Sequence, residues 1–208
     1  MGLYEKHVLP RVVDVTCGAA ELHERRAELC RPLAGRFLEL GFGSGLNLPH
    51  YPASVDEVHG VEPNDLAWRL AQPRIQACAA RVVRSGLDGE RLDEPDGPFD
   101  HVLVTFALCT IPDPAAALAE VRRVLRPGGR LHFLEHGLAP DERVRRWQRR
   151  FEPVQRRLAG GCHLTRDPAA LSRAAGLSVE QVARGYLPGP GFSKPFGFLY
   201  QGSAVRAG

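Results

Sequence analysis

Residues 36–45 read RFLELGFGSG, a short apolar run that ends in glycines at alternate positions, Gly41, Gly43 and Gly45. Such a run reads as a buried strand closed by a tight turn, and a turn without Cβ atoms lets the backbone approach a ligand closely. A similar rhythm recurs in VDEVHGVEPN (55–64), AARVVRSG (79–86) and HVLVTFAL (101–108). A helix follows in PAAALAEVRRVLRPGG (114–129), where Leu118, Val121, Val124 and Leu125 share a stripe and Pro127, Gly128 and Gly129 stop it. LHFLEH (131–136) and LSVEQVARG (177–185) are the next strand candidates, and the alternation in FGFLYQGSAVRAG (196–208) predicts a last, edge strand. Strands alternating with helices at this spacing predict an α/β fold. The expected form is a doubly wound, mostly parallel seven-stranded sheet of Rossmann-like type with an antiparallel last strand. Residues 3–30 mix apolar and charged positions at helical spacing and predict one or two covering helices, with Pro10 at a helix start or break.

A chain of 208 residues with 44% hydrophobic content suits one core rather than two. The expected organisation is a single domain over 1–208. Residues 1–33 form covering helices, 34–136 a cofactor-binding core, and 137–208 acceptor-side helices and final strands. A formal charge of +3 is too small a field to attract nucleic acid, so no such partner is expected. The five cysteines, Cys17, Cys30, Cys78, Cys109 and Cys162, contain no C-x-x-C pair and fit neither a disulfide framework nor a zinc ribbon. With no apolar leader segment near the start and no long apolar run, the expectation is a cytoplasmic protein with reduced thiols.

The turn sits where ligands bind in such sheets, at the strands' carboxyl ends. Its spacing is G-x-G-x-G, with Leu46 where a dinucleotide fingerprint needs glycine. Glu62 follows Gly41 by roughly twenty residues at the end of the second strand, where a carboxylate can accept both hydrogen bonds of a ribose diol and repel a 2′-phosphate.

On these segments the chain resembles the class I S-adenosylmethionine-dependent methyltransferases with a methyltransferase type 11 domain. ELGFGSG is similar to their first motif and HGVEPN to their second. SGLDGERL resembles the adenine-proximal loop, FDHVLVTFALCTIPD the fourth-strand motif, and EVRRVLRPGGRLHFLEH the helix leading into the fifth strand. Beyond these, FLEH, an aromatic and basic helix and GCHLTR are similar to the methyltransferase-like thiol S-methyltransferase group. That group's membrane-anchoring N-terminal helix has no counterpart in this sequence, which leaves the acceptor open.

The resemblance implies S-adenosyl-L-methionine as cofactor and methyl transfer to a small-molecule acceptor, thiol favoured, by in-line displacement. A lipid-like or quinone-like acceptor and a non-catalytic nucleoside-binding sensor are the alternatives. It places Glu39, Gly41, Gly43 and Gly45 against the methionine portion and ribose, and Glu62 on the ribose. Leu87 and Asp88 fall beside the adenine, and Thr105, Phe106 and Leu108 beneath the sulfonium. His136, Glu135 and His163 are candidate bases, with His136 and His163 expected in the catalytic role. Arg166 is either an acceptor-pocket residue or part of a loop that caps the next helix through Thr165 or Asp167. Tyr4 and His7 are candidates for closing a lid over the cofactor. Cys109 is read as a small buried apolar side chain, and no metal is expected.

From Val144 to Leu158 the apolar residues Val144, Trp147, Phe151, Val154 and Leu158 follow a helical period among seven arginines, predicting a helix that packs this stripe inward, with Pro153 allowing a division into two. Membrane contact through this stretch is open but not favoured. No sequence feature sets the oligomeric state. A nicotinamide-dependent oxidoreductase is the rival enzyme class, and it lacks both the third fingerprint glycine and a recognisable Tyr/Lys or His/Asp set.

Overall fold

A computed structural model describes residues 2–208. Its seven strands are β1 (Gly35–Leu40), β2 (Val55–Val61), β3 (Arg81–Gly86), β4 (Phe99–Thr105), β5 (Leu125–His136), β6 (Leu177–Tyr186) and β7 (Phe198–Arg206). They form one sheet in the order β3-β2-β1-β4-β5-β7-β6, in which β7 alone runs opposite to the other six. The order reverses between β1 and β4, which creates a crevice at their carboxyl ends.

Period-two alternation sends side chains of the central strands to two cores. Phe37, Leu103 and Leu134 pack on one face with Leu22, Leu29 and Ala71. Leu38, Val102, Val104 and Phe133 pack on the other with Leu118, Val121 and Val124. Each such side chain contributes about 1.5–3 kcal/mol when fully buried. The first face is covered by α3 (Ala20–Cys30) and α4 (Asp65–Ala77), the second by α5 (Pro114–Val124) and α7 (Pro168–Ala174). Asn64, Asp113 and Asp167 cap α4, α5 and α7 by accepting amide hydrogen bonds of the first turn.

Three covering helices precede β1, not one or two: α1 (Leu3–His7), α2 (Leu9–Cys17) and α3. Pro10 lies in the first turn of α2, where its missing N–H costs nothing. The tail strand is not at the edge. Phe198, Leu199, Tyr200 and Ala204 are buried, so β7 inserts between β5 and β6, and the more exposed β6 takes the edge.

The arginine-rich segment is a single helix, α6 (Glu142–Leu158), capped by Asp141 and continuous through Pro153. Pro153 lies on the exposed side, where the carbonyl deprived of its amide partner meets water. The expected inward stripe is only partly inward. Val144 and Gln148 are buried, Phe151 is half-buried, and Trp147, Val154 and Leu158 are exposed. Gln148 takes the inward position because its amide group answers the backbone at Ala139, Gly137 and Pro195. Among the described residues no helix is long and apolar enough to cross a membrane.

Candidate active site

A cavity of about 510 Å3 opens at the carboxyl ends of β1, β2 and β4. Gly41, Gly43, Glu62, Leu87, Asp88, Thr105 and Phe106 all line it, so seven of the residues singled out in the sequence meet at one hollow. Ligand pockets of small-molecule enzymes span roughly 300–1,000 Å3. Leu9, Pro10, Val13 and Cys17 of α2 cover it, together with Glu5 of α1. The lid is therefore real in outline, but Tyr4 and His7 are not its inner face: the Tyr4 hydroxyl donates to the Leu158 carbonyl at 2.8 Å, tying the lid to the end of α6.

Gly41 has a φ of 76°, and a Cβ there would fall 2.4 Å from that of Ala107, so only glycine lets the turn pass under the loop after β4. The amide of Gly43 donates to Glu62 Oε2 at 2.8 Å, and that of Asn64 to Oε1 at 2.7 Å. Each carboxylate oxygen keeps an acceptor lone pair for a ligand hydroxyl. Burial raises the Glu62 pKa, while the Asn64 and Gly43 amides and Arg84 pull it back. Asp88 accepts the Glu90 amide at 2.9 Å, a turn contact that occupies one of its two oxygens. Gly45 shapes the turn from behind, against Leu48 and Ala71, and does not line the cavity.

Behind the turn lies a buried polar network. Asn47 Nδ2 donates to Glu39 Oε1 at 2.6 Å and to Thr105 Oγ1 at 2.9 Å, and the Tyr51 hydroxyl donates to Glu39 Oε2. Glu39 is thus one layer removed from the cavity and braces Asn47 and Tyr51; burial pushes its pKa up to about 7 against those hydrogen bonds. Arg26, reaching down from α3, joins the network from the other side. Its guanidinium donates to Asn47 Oδ1 at 2.5 Å and to the Cys17 carbonyl at 3.1 Å and lies 5.6 Å from the Phe106 ring centroid. Arg26 lines the cavity, is 3% exposed, and its Nε, itself shielded, has no hydrogen-bond partner among the described residues.

The loop after β4 forms the opposite wall through Phe106, Ala107, Thr110, Ile111 and Pro112. Phe106 has a φ of 53°, a left-handed backbone that costs a bulky residue about 1–3 kcal/mol unless its surroundings impose it. Glu135 imposes it from below: its buried carboxylate accepts the amides of Ala107, Leu108 and Cys109 at 2.8, 3.0 and 3.1 Å. Burial drives the Glu135 pKa to about 7, with the three amides opposing. Arg166 holds the same loop by its carbonyls, donating to Leu108 at 2.5 Å and Ile111 at 2.7 Å, so it is a clamp and not a pocket residue. Asp167, not Thr165, caps α7. Leu108 points into the core instead of the cavity floor.

Neither His136 nor His163 lines the cavity. Period two on β5 turns His136 away from Glu135; it packs behind Phe106, ring centroids 4.9 Å apart, with Nδ1 unpartnered. Its burial lowers the pKa to about 4. His163 Nδ1 lies 2.8 Å from Glu152 Oε1, which anchors the segment after α6. Cys109 is buried, as a small apolar residue would be.

These groups set an acid profile for stability. A histidine held neutral loses stability for the fold as pH drops below its unfolded value of about 6.5, until the folded values of about 4 for His136 and about 3 for His132 are passed. Glu39 and Glu135, both raised to about 7 by burial, act in the opposite sense between pH 7 and the ordinary carboxylate range. The denaturation midpoint is expected to be nearly level from about pH 6.5 to 4.5 and to fall steeply below, where only the histidines of this set still titrate. Urea titrations at half-unit pH intervals measure this; a steep decline already at pH 6 would contradict it.

Comparison with known proteins fits this geometry. A family model described as a methyltransferase domain matches residues 38–133. Thiol S-methyltransferase TMT1B of Homo sapiens is 37% identical over 175 residues, covering 81% of this chain and 70% of that protein. The chain belongs to the thiol S-methyltransferase family. Thiol S-methyltransferase TMT1A of Homo sapiens is 35% identical over 145 residues, covering 66% of this chain and 58% of that one. Among solved structures, an S-adenosylmethionine-dependent methyltransferase from Mesorhizobium loti superposes with a TM-score of 0.65 at 18% identity, over 90% of this chain and 99% of that one. Fold and family make the protein a class I methyltransferase that uses S-adenosyl-L-methionine.

The methyltransferase's own residues fit that cofactor. Gly41 and Gly43 at the cavity wall and the spare acceptor sites on Glu62 suit a nucleoside, and the guanidinium of Arg26 suits its amino-acid carboxylate. The sequence reading did not place Arg26 at the cavity or see Glu135 as a loop anchor. A signal for Arg26 exists, since it interrupts the buried positions Leu22, Leu29 and Cys30 of α3; for Glu135 none does beyond its place at a strand end. Asp14 was also missed. It sits on the lid and accepts from Ser44 Oγ at 2.7 Å and Arg74 at 2.9 Å, latching α2 to the glycine turn. Replacing Asp14 with alanine is expected to weaken S-adenosylhomocysteine binding about five- to tenfold, as loss of one or two charged hydrogen bonds implies, with little change in melting temperature. Calorimetric titration reads the affinity, and an unchanged value would show that the latch does not control closure.

Proposed function

We propose that the methyltransferase transfers the methyl group of S-adenosyl-L-methionine to the sulfur of a small-molecule thiol. The observation that carries this is the make-up of the cavity: no histidine or lysine lines it among the described residues, Glu62, Asp88 and Glu90 lie on the side assigned to the nucleoside, and Glu5 of the lid is engaged by the Gly2 amide at 2.8 Å. A thiol ionises near pKa ~8.5 and supplies its own nucleophile, whereas an alcohol or carbon acid needs a protein base. The names of the two human relatives, both thiol S-methyltransferases, support the same acceptor.

In this reading Gly41, Gly43, Glu62, Leu87, Asp88, Thr105 and Arg26 hold the cofactor. Glu39, Gly45 and Leu108 support them, and His136 and His163 have packing roles. S-adenosyl-L-methionine supplies a methyl group carried on a positively charged sulfur. Leu9, Pro10 and Val13 of the lid, with Phe106 and Ile111 below, exclude water and align the acceptor, which is where an in-line displacement gains most of its rate. The acceptor's proton goes to solvent. Cys17 does not compete as nucleophile, because burial raises its pKa. The free thiols of all five cysteines suit a reducing compartment, so we place the enzyme in the cytoplasm.

Labelled cofactor consumed over a panel of thiols, amines and phenols tests the acceptor. Log kcat/KM is expected to rise with a slope near one up to the thiol's own pKa. No turnover of any thiol would reject the proposal.

A further inference from the structure

The outer face of α6 does nothing for the cavity, yet its composition is unusual for a solvated helix. Trp147, Val154 and Leu158 are 50%, 55% and 57% exposed and lie on one side of the helix. Trp147 stacks on Phe151 at 5.4 Å, and Phe151 meets Phe196 at 5.7 Å, so the apolar strip continues onto the loop that also carries Phe192, 82% exposed. At its other end the strip reaches the lid, where the Tyr4 hydroxyl holds the Leu158 carbonyl and Leu3 is exposed.

Cations flank this strip. Arg143, Arg146, Arg149, Arg150, Arg156 and Arg157 are exposed, and none makes an ion pair or side-chain hydrogen bond among the described residues. The acidic side chains of the helix are already engaged, Glu142 with Arg145 and Glu152 with His163. At a spacing of three and four, Arg143, Arg146, Trp147 and Arg150 share one side and line a shallow depression.

We propose that this face of α6 docks the protein onto an anionic phospholipid bilayer. A row of unpaired guanidinium groups beside an aliphatic and indole strip is what a helix lying in the headgroup region requires: apolar side chains enter the acyl boundary while arginines meet phosphates. Nucleic acid would answer the arginines but leave Val154 and Leu158 in water. A docked α6 also sets the lid beside the lipid, because Ala159 and Gly160, which follow it, line the cavity together with Leu9. The docking face stands independently of which acceptor is methylated.

The test uses the full chain with vesicles of phosphatidylcholine alone or with about one third phosphatidylglycerol. The expected result is co-sedimentation with the anionic vesicles only, a blue shift of tryptophan emission, and partial release by salt. Replacing Arg143, Arg146 and Arg150 together with glutamine is expected to lower partitioning roughly a hundredfold, from about fivefold per arginine at an anionic surface. Trp147→Ser, which leaves the charge intact, is expected to lose both the blue shift and at least fivefold in partitioning. Melting temperature and turnover of a soluble thiol serve as fold controls, since none of these residues touches the cavity. Equal binding to both vesicle types, or a triple variant that binds like the parent chain, would overturn the proposal. So would tighter binding of a single-stranded oligonucleotide or polyglutamate than of vesicles, lost in the same triple variant; that result would assign the face to a polyanion instead.

Discussion

Arg26→Ala is expected to weaken binding of S-adenosylmethionine and S-adenosylhomocysteine by at least thirtyfold, and Arg26→Lys by less. The guanidinium is almost fully buried, is fixed by Asn47 and the Cys17 carbonyl, and belongs to a residue of the cavity wall. Removing one member of a buried, hydrogen-bonded charge pair costs about 2–5 kcal/mol, which sets the scale of the loss. Lysine restores the charge but not the planar fork that serves Asn47, the backbone and a carboxylate at once. Thermal stability should fall as well, because Glu39 loses a nearby positive charge. Affinity measured for a decarboxylated analogue separates the two effects: if Arg26 grips the carboxylate, the parent protein should bind that analogue about as weakly as Arg26→Ala binds the complete cofactor. Unchanged affinity for the complete cofactor in Arg26→Ala would remove Arg26 from the site.

Glu135→Ala is the second large effect, and it acts through the wall and not through any contact with ligand. The substitution leaves the amides of Ala107, Leu108 and Cys109 buried without an acceptor. At about 1–3 kcal/mol for each orphaned donor, several kcal/mol of stability should be lost. The left-handed backbone of Phe106 then lacks its support, and kcat/KM should fall at least a hundredfold, as misplacement by about 1 Å allows. Glu135→Gln keeps an acceptor for Ala107 and Leu108 but turns an N–H toward that of Cys109, so it should fall between the two. Denaturant midpoints and steady-state rates measured on both variants check the order; equal stability of all three proteins would falsify the role assigned to Glu135.

The fold was readable because its signals are local. A run such as Phe37 to Leu40 followed by Gly41, Gly43 and Gly45 declares a strand and a turn within ten residues, and the helix at 114–124 carries its own stop in Pro127 and Gly128. The edge position was misjudged at β7 since period-two alternation cannot distinguish a strand with one neighbour from a strand with two. The stripe on α6 was misjudged for a related reason: apolar spacing marks a face but not what covers it.

From residue order alone one can obtain the sheet, the glycine turn and the carboxylate of Glu62, because each rests on contacts or spacings within a single strand-turn unit. Which charges serve the site is another matter. Arg26 meets Thr105 across 79 residues of chain, and Glu135 meets Ala107 across 28, so their partners exist only once the strands are side by side. His136, one position from Glu135, looked the better catalyst in the sequence, and the pleat of β5 turned it behind Phe106 and out of the cavity.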